Sequence, residues 1–216
     1  MSWIINDMVS DLSEFLDVSV MEVEKRFDSN YYNKVHFDDE KGRENFSRWL
    51  RESEYYLYDL AQWHIRTLAN YNPPQGNGLK CLDFGSGIGT RSLFYTLNGW
   101  DMTLCEINKP CMKFSKFRYE KHGLKAEFVE KLNRKDCFSH VLLIDVIGHL
   151  ETPEETLKEI VSSMKVGATI EITWDLFDVP TRTHLWMKNK MDTLKTFMQS
   201  ISLTKLNEND TTWQKT

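Results

Sequence analysis

The sequence has few of the features that mark specialised protein classes. It has only four cysteines, at positions 81, 105, 111 and 137 and with no CxxC pair, which argues against a disulfide framework or a zinc cluster. No apolar run approaches the ~18 residues of a membrane span. The N-terminus carries acids and no basic start, so no secretory signal is expected. We therefore predict a soluble, cytoplasmic protein with reduced thiols and no metal site.

The chain also lacks an excess of positive charge. Its 27 lysines and arginines are outnumbered by 32 acids, for a net charge of −5, which argues against nucleic-acid or membrane partners. Five basic residues still cluster on one predicted helix: Lys109, Lys113, Lys116, Arg118 and Lys121. Because Phe114 and Phe117 assign the opposite face to the core, we expect these charges on a solvated face.

A single proline- and glycine-rich break, residues 72–78, divides the 216 residues into two parts. Residues 1–72 are aromatic-rich, and apolar residues at three- and four-residue steps predict a long helix over 44–71. His64 lies on the same apolar stripe and is interpreted as a core histidine. We expect residues 1–72 to form a helical segment and residues 79–216 to form one compact domain.

After the break, strands alternate with helices. Strands are predicted at 79–84, 101–106, 126–130, 140–146 and 168–174. Helices are predicted at 90–97, from Pro110 to Gly123, and after a capping box at 152–155. A last helix from about 181 and a hairpin over 202–214 complete the chain. This alternation predicts an α/β fold with a doubly wound, mostly parallel sheet and a C-terminal hairpin.

A glycine-rich turn follows the first predicted strand. Gly85, Gly87 and Gly89 form a GxGxG pattern that lacks the third glycine of the dinucleotide fingerprint GxGxxG. Asp83 stands two positions before the turn, where a carboxylate disfavours a pyrophosphate but suits an amino or cationic group. Glu106 ends the next strand and is placed to accept both ribose hydroxyl protons. These residues describe a pocket for a nucleoside such as S-adenosylmethionine.

The segment from 82 to 89 resembles the first motif of the class I S-adenosylmethionine-dependent methyltransferases, and Glu106 occupies the position of their ribose-binding acid. Residues 138–150 and 164–168 are similar to later motifs of small-molecule members. Gly148, Ser139 and Val166 depart from those motifs. The resemblance covers roughly residues 79 to 175 and implies a Rossmann-like fold, with S-adenosyl-L-homocysteine as the product.

The resemblance and the residues together define a candidate cofactor site. We expect Ile107 and Leu132 against the adenine ring. Asp145 is expected either to touch the ligand or to hydrogen-bond backbone at the rim of the sheet. The full set of predicted cofactor-binding residues is Asp83, Phe84, Gly85, Ser86, Gly87, Thr90, Glu106, Ile107, Leu132, Asp145 and Val146.

Three residues are candidates for the catalytic side of the pocket. Methyl transfer is an in-line displacement, so a base is needed only when the acceptor must lose a proton first. His149 follows the fourth strand and either acts as that base or pins its loop. The resemblance also implies that the helical segment of residues 1–72 forms a lid over the site, and Tyr32 and His36 lie in a polar stretch of this lid. The acceptor is expected between the lid, His149 and the segment around Trp174 and Asp175.

The sequence thus predicts a methyltransferase acting on an O or N atom of a small molecule. A methyltransferase with a protein or RNA acceptor is one alternative. A nucleoside-binding protein without catalytic activity is another, and a nicotinamide-dependent dehydrogenase is disfavoured by the GxGxG spacing. The oligomeric state and the identity of the acceptor are left open.

Overall fold

The computed structural model describes residues 3–28, 51–133, 135, 137–174, 190–208 and 211–216. Within them the helices are α1 (Trp3–Asn6), α2 (Met8–Leu16), α3 (Val20–Asp28), α4 (Tyr55–Thr67), α5 (Thr90–Leu97), α6 (Lys109–Lys121), α7 (Pro153–Ser163) and α8 (Met191–Ser200). The strands are β1 (Lys80–Phe84), β2 (Asp101–Cys105), β3 (Glu127–Val129), β4 (Phe138–Leu143), β5 (Met164–Ile172), β6 (Leu203–Lys205) and β7 (Thr212–Lys215).

The described strands form one sheet in the order β3-β2-β1-β4-β5-β7-β6. Strands β1 to β5 pair in parallel, while β7 runs antiparallel to β5 and forms a hairpin with β6. The expected α/β fold and C-terminal hairpin are confirmed. Strand order reverses beside β1, whose two neighbours are β2 and β4, and such a switch point opens a crevice at the carboxyl ends of the strands.

Each face of the sheet supports its own core. Adjacent residues of β1 point to opposite faces, so Cys81 packs in a cluster with α1 and α5 while Leu82 packs in a cluster with α7 and α8. Residues Leu142 and Leu143 of β4 divide between the same two clusters. Burial on both faces explains why these strands are nearly continuous apolar runs.

The N-terminal helices pack against the body of the protein around a buried charge. Arg118 of α6 is fully buried and its Nε lies 3.0 Å from Oδ2 of Asp11, which is also fully buried. Its other nitrogens donate to the Ile4 carbonyl and to the Thr90 hydroxyl. The expectation that Arg118 belongs to a solvated face is therefore wrong, because a partner 107 positions away in the sequence neutralises it.

Several boundaries differ from the sequence-based expectations. The helix expected over 44–71 is interrupted at residues 53 and 54, where the Ser53 hydroxyl accepts the N–H of Tyr55; residues 29–50 lie outside the described part. Strand β4 spans Phe138–Leu143, where 140–146 was expected. Strand β5 begins at Met164, where 168 was expected, because Met164 pairs with Phe138 of β4. Pro153 does begin α7, but the Thr152 side chain makes no capping hydrogen bond.

The structure also bears on what was expected of the cysteines and of membrane-spanning segments. All four cysteines are free, and Cys81 and Cys105 lie buried in strands as expected. Among the described residues, no helix has the length and apolar character needed to cross a membrane.

Candidate active site

A cavity of about 920 Å³ opens at the carboxyl ends of the parallel strands. Its floor comes from the residues that follow β1, β2 and β4, and helix α4 forms one wall. The volume lies near the upper end of the range for sites that bind small molecules and cofactors, which is roughly 300–1,000 Å³.

The glycine turn after β1 has a conformation that only glycine adopts easily. Gly85 and Gly87 have φ angles of 72° and 53°. A Cβ atom on Gly85 would lie 2.4 Å from a methyl carbon of Val146, and one on Gly87 would lie 2.6 Å from a methyl carbon of Leu60. The glycines therefore let the turn lie directly beneath the cavity wall.

The N–H groups of this turn are already engaged by the protein. Those of Gly85 and Ser86 donate to the Cys105 carbonyl at 2.8 and 3.3 Å, and that of Gly87 donates to Oε2 of Glu106 at 2.6 Å. A phosphate-binding loop needs such N–H groups free to face the anion. The turn is consequently unsuited to a pyrophosphate, as the GxGxG spacing predicts.

Glu106 is held in one orientation immediately after β2. Its Oε1 accepts the N–H of Asn108 at 2.7 Å, and its Oε2 accepts that of Gly87. Burial raises the pKa of this carboxyl group, and the backbone hydrogen bonds oppose the rise by favouring the charged form. Since a carboxylate has two lone pairs on each oxygen, these backbone hydrogen bonds leave accepting capacity for a hydroxyl group in the cavity that Glu106 lines.

Asp83 lies deeper, near the end of β1. Its Oδ2 accepts a 2.5 Å hydrogen bond from the Ser92 hydroxyl of α5, so the carboxyl group joins the strand to the helix that follows the glycine turn. Burial raises the pKa of Asp83 to about 6, while the hydrogen bond from Ser92 and the charge of Arg91 oppose that rise.

Asp145, just after β4, is hydrogen-bonded to the side chain of Thr173 at the rim of the sheet. Its N–H donates to the Thr173 hydroxyl, which donates in turn to Oδ1 of Asp145 at 2.7 Å. Its φ of 56° is a left-handed conformation, rare outside glycine but tolerated by aspartate. The same residue lines the cavity.

The structure brings most of the predicted site together. The predicted residues that line the cavity are Asp83, Phe84, Gly85, Ser86, Gly87, Glu106, Ile107, Leu132, Asp145, Val146 and His149. Thr90 is not among the lining residues, because it is fully buried and its hydroxyl accepts from Arg118. Tyr32, His36 and Asp175 lie outside the described residues, and Trp174 packs against the core beside α7 and α8.

One face of α4 contributes residues that the sequence did not assign to the site. Tyr56, Asp59, Leu60, Trp63 and His64 line the cavity at helical spacing. Arg91 of α5 also lines it, with its guanidinium 5.8 Å from the Trp63 ring centroid. The three- to four-residue spacing of these α4 residues can be read from the sequence. The sequence does not show that this face of the helix packs over the carboxyl ends of the strands.

A methyltransferase-domain family model matches residues 46–209. Because the match covers most of the chain, the protein belongs to the methyltransferase-domain family, and its resemblance to class I S-adenosylmethionine-dependent methyltransferases is confirmed. No curated protein matches the chain.

Solved structures share the fold at low sequence identity. The cyclase SpnF is 16% identical, with a TM-score of 0.54 over 69% of this chain and 60% of its own. The Haemonchus contortus phosphoethanolamine N-methyltransferase 2, solved with S-adenosyl-L-methionine, is 17% identical, with a TM-score of 0.53 over 65% of this chain and 36% of its own. The Streptomyces coelicolor geranyl diphosphate C-methyltransferase, solved with S-adenosyl-L-homocysteine, is 12% identical, with a TM-score of 0.54 over 72% and 64%.

These matches span less than two thirds of each of those proteins. Their names include N-methylation, C-methylation and cyclisation. The shared fold therefore leaves the acceptor and the atom that is modified undefined, because one fold hosts many chemistries.

Proposed function

We propose that the cavity binds S-adenosylmethionine and that the protein transfers its methyl group to an O or N atom of a small molecule. The orientation of Glu106 carries this proposal, since backbone N–H groups fix both oxygens at the cavity and leave the carboxylate able to accept from a ribose hydroxyl. The glycine turn beside it has its N–H groups engaged, which favours a nucleoside ligand without phosphates.

The residues of the cavity suggest how the cofactor lies. We place its ribose on Glu106 and its adenine between Ile107, which is 41% exposed, and the buried Leu132. The methionine end then rests against the turn at 85–87, near Asp83. Bound there, the cofactor supplies an electrophilic methyl group, and the protein's task is to hold the acceptor atom in line with it.

The charges around the cavity favour a small acceptor over RNA. Of the residues that the structure describes, six carboxylates line it against three lysine and arginine side chains: Asp59, Asp83, Glu106, Glu130, Asp145 and Glu159 against Arg51, Arg91 and Lys131. A phosphate backbone would be repelled by such a lining, because its binding depends on positive charge. A neutral or amine acceptor is compatible with it.

On the acceptor side we propose His149 as the general base, with Tyr32 and His36 contributed by the lid. His149 lines the cavity after β4, within the stretch where the acceptor is expected. We also propose that residues 1–72 act as a cap on the 79–216 domain. The wall formed by α4 supports this role for the described part of that segment.

Turnover with labelled S-adenosylmethionine tests the activity. The purified protein would be incubated with methyl-labelled cofactor and a panel of small amines and phenols, and S-adenosylhomocysteine would be quantified. We expect product only when an acceptor is present. The variant His149→Asn should lower kcat at least tenfold while leaving the affinity for S-adenosylhomocysteine unchanged, since general-base catalysis is worth about 10²–10⁴-fold.

Two outcomes would replace this proposal by an alternative. Label recovered on added protein or RNA, with none on small molecules, would favour a macromolecular acceptor. Binding of the cofactor without turnover on any acceptor would favour a nucleoside-binding protein that lacks catalytic activity.

A further inference from the structure

Asp145 holds an unfavourable backbone conformation in the wall of the cavity. Four residues other than glycine have a positive φ in the described part of the chain: Asp17, Asn77, Asp145 and Ser202. Of these four, Asp145 lines the cavity and the other three do not. A left-handed conformation costs free energy in a residue with a side chain, whereas glycine adopts it readily. Residues strained in this way cluster at functional sites, which makes the Asp145 side chain a candidate for a role in the cavity.

Thr173 holds Asp145 in this conformation through two hydrogen bonds. The N–H of Asp145 donates to Oγ1 of Thr173 at 2.6 Å, and the same hydroxyl donates to Oδ1 of Asp145 at 2.7 Å. The N–H of Thr173 donates to the Leu143 carbonyl at the end of β4. Since one hydroxyl both accepts and donates, it fixes the backbone and the carboxylate of Asp145 together. The carboxylate keeps accepting capacity for a further donor.

The strand order separates this carboxylate from the proposed ribose site. Glu106 follows β2, whereas Asp145 follows β4 and Thr173 follows β5. Strand β1 lies between β2 and β4, so the strands that carry the two carboxylates are about 10 Å apart, which is two strand spacings. The proposed cofactor orientation places the ribose on Glu106 and the methionine end on the turn after β1. This orientation leaves the side of the cavity at β4 and β5 for the acceptor.

A fixed carboxylate on that side favours one class of acceptor atom. When a neutral amine attacks the methyl group, its lone pair forms the N–C bond, the electron pair of the S–C bond returns to sulfur, and positive charge develops on nitrogen. A carboxylate beside the nitrogen stabilises this charge and accepts a hydrogen bond from its N–H group. A hydroxyl acceptor has to lose its proton instead, and a neighbouring carboxylate disfavours the negative charge that then develops on oxygen.

Resting on the proposed function, we propose that Asp145 binds the nitrogen of a primary or secondary amine acceptor and that Thr173 is the positioning residue that holds the carboxylate there. The acceptor binds as an ammonium ion and gives one proton to His149, the proposed general base, which frees the lone pair for attack. The methylated product leaves as an ammonium ion. The excess of carboxylates in the cavity lining acts in the same direction.

A cofactor analogue that carries an amine tests this assignment before the acceptor is known. Sinefungin has a carbon with a primary amine in place of the sulfur and its methyl group. S-adenosylmethionine has positive charge at that place without a hydrogen-bond donor, and S-adenosylhomocysteine has neither. Calorimetric titrations with the three ligands would compare the wild-type protein with Asp145→Asn, which removes the charge and suits the same backbone conformation.

For Asp145→Asn we expect sinefungin to lose roughly ten- to a hundredfold in affinity, as for a hydrogen bond between charged groups. The affinity for S-adenosylhomocysteine should be unchanged, and that for S-adenosylmethionine should fall less than that for sinefungin. The unliganded variant should melt within about 4 °C of the wild-type protein. Asp145→Gly, which adopts the left-handed conformation without strain, should show the same selective loss and provides a second variant.

Variants at Thr173 separate positioning from a structural role. Thr173→Val keeps the shape of the side chain but removes the hydroxyl, so it should lower the affinity for sinefungin by roughly tenfold and leave that for S-adenosylhomocysteine unchanged. Thr173→Ser, which keeps the hydroxyl, should bind all three ligands as the wild-type protein does. Asp17→Asn is the matched control, because Asp17 has a φ of 53° and lies outside the cavity lining.

The outcomes distinguish the amine site from the cofactor site itself. Unchanged affinity for sinefungin in the Asp145 variants, or an equal loss for S-adenosylhomocysteine, would overturn the amine site while the cofactor site stands. An equal loss for S-adenosylmethionine would assign Asp145 to the sulfonium and overturn its role towards the acceptor. A loss in Thr173→Val that Thr173→Ser fails to restore would overturn the positioning role. If no adenosyl ligand binds the wild-type protein, the proposed function fails, and the amine site fails with it.

Discussion

Glu106 combines burial with hydrogen bonds from several backbone N–H groups, and this combination defines its chemistry. A free carboxylate in the cavity would reorient, whereas this one is fixed by Gly87 on one oxygen and Asn108 on the other. The side chain of Glu106 is already ordered in the unliganded protein, so binding a ligand does not cost the entropy of ordering it. Preorganised sites gain affinity in this way.

Replacing Glu106 with glutamine should weaken binding of S-adenosylhomocysteine by about tenfold or more. The amide has only one accepting oxygen, so its NH₂ group would face the N–H of either Gly87 or Asn108 and the pair of acceptors would be lost. Calorimetric titration measures the change. Glu127→Gln is the matched control, because Glu127 lies on the adjacent strand and outside the cavity lining. Equal affinities in the two variants would contradict this role.

The sequence identified the cavity residues at the ends of the strands. It did not identify the cavity residues that helices α4 and α5 contribute. Asp83, Glu106 and Asp145 stand at strand ends, and parallel strands bring those ends together whatever the details of packing. His64 and Arg91 meet the site only through tertiary packing of α4 and α5. The apolar stripe of α4 made His64 a core residue in the sequence, and only the structure reveals its unpartnered Nδ1.

At the scale of elements, helices α1 and α2 are held to α6 by the buried pair of Asp11 and Arg118. The same carboxylate also receives Lys121, whose Nζ lies 2.9 Å from Oδ1 of Asp11. Because Arg118 also binds the Thr90 hydroxyl at the start of α5, one side chain connects the N-terminal helices to the helix that follows the glycine turn.

The substitution Asp11→Asn should lower the free energy of unfolding by about 3–5 kcal/mol, because it leaves a buried guanidinium without its counter-charge. Urea denaturation measures the effect. Glu14→Gln is the control, since Glu14 pairs with Lys121 at the surface and is 58% exposed, where such pairs contribute about 1 kcal/mol or less. A loss in Asp11→Asn no larger than in Glu14→Gln would argue against the buried pair as an anchor.

The sequence predicted which helices and strands exist better than it predicted the residues at which they begin and end. The alternation of strands and helices follows from local apolar periodicity, and the structure has every strand that the sequence predicted. The position of Arg118 was misjudged because helical spacing shows which face a residue occupies but not what packs on that face. The break at residues 53 and 54 and the early start of β5 depend on hydrogen bonds and pairing with distant segments, which periodicity does not encode.

Across the whole molecule, buried histidines couple stability to pH. His140 in β4 is buried beside Tyr95 and Thr169, with its Nδ1 2.7 Å from the Thr169 hydroxyl. Burial lowers its pKa to about 4 from the ordinary histidine value of 6.5. Between those pH values the unfolded chain binds a proton that the folded protein does not, so acidification favours unfolding.

We therefore expect the contribution of His140 to be complete above pH 6.5 and to be lost as the pH falls towards 4, at about 1.4 kcal/mol per pH unit. Urea unfolding of wild type and His140→Gln at a series of pH values measures this slope. The raised pKa of Asp83 acts with the opposite sign in both proteins, so the difference between them isolates His140. Parallel pH profiles for the two proteins would show that His140 does not titrate in this way.

The function proposed for this protein depends on which ligand the cavity binds. The most direct measurement is calorimetric titration of the wild-type protein with S-adenosylhomocysteine and, separately, with NAD. Because Glu106 is ready to accept ribose hydroxyls and the glycine turn has its N–H groups engaged, S-adenosylhomocysteine should bind and NAD should give no heat. If S-adenosylhomocysteine fails to bind while NAD binds, or if neither binds, the assignment of this cavity to S-adenosylmethionine is wrong.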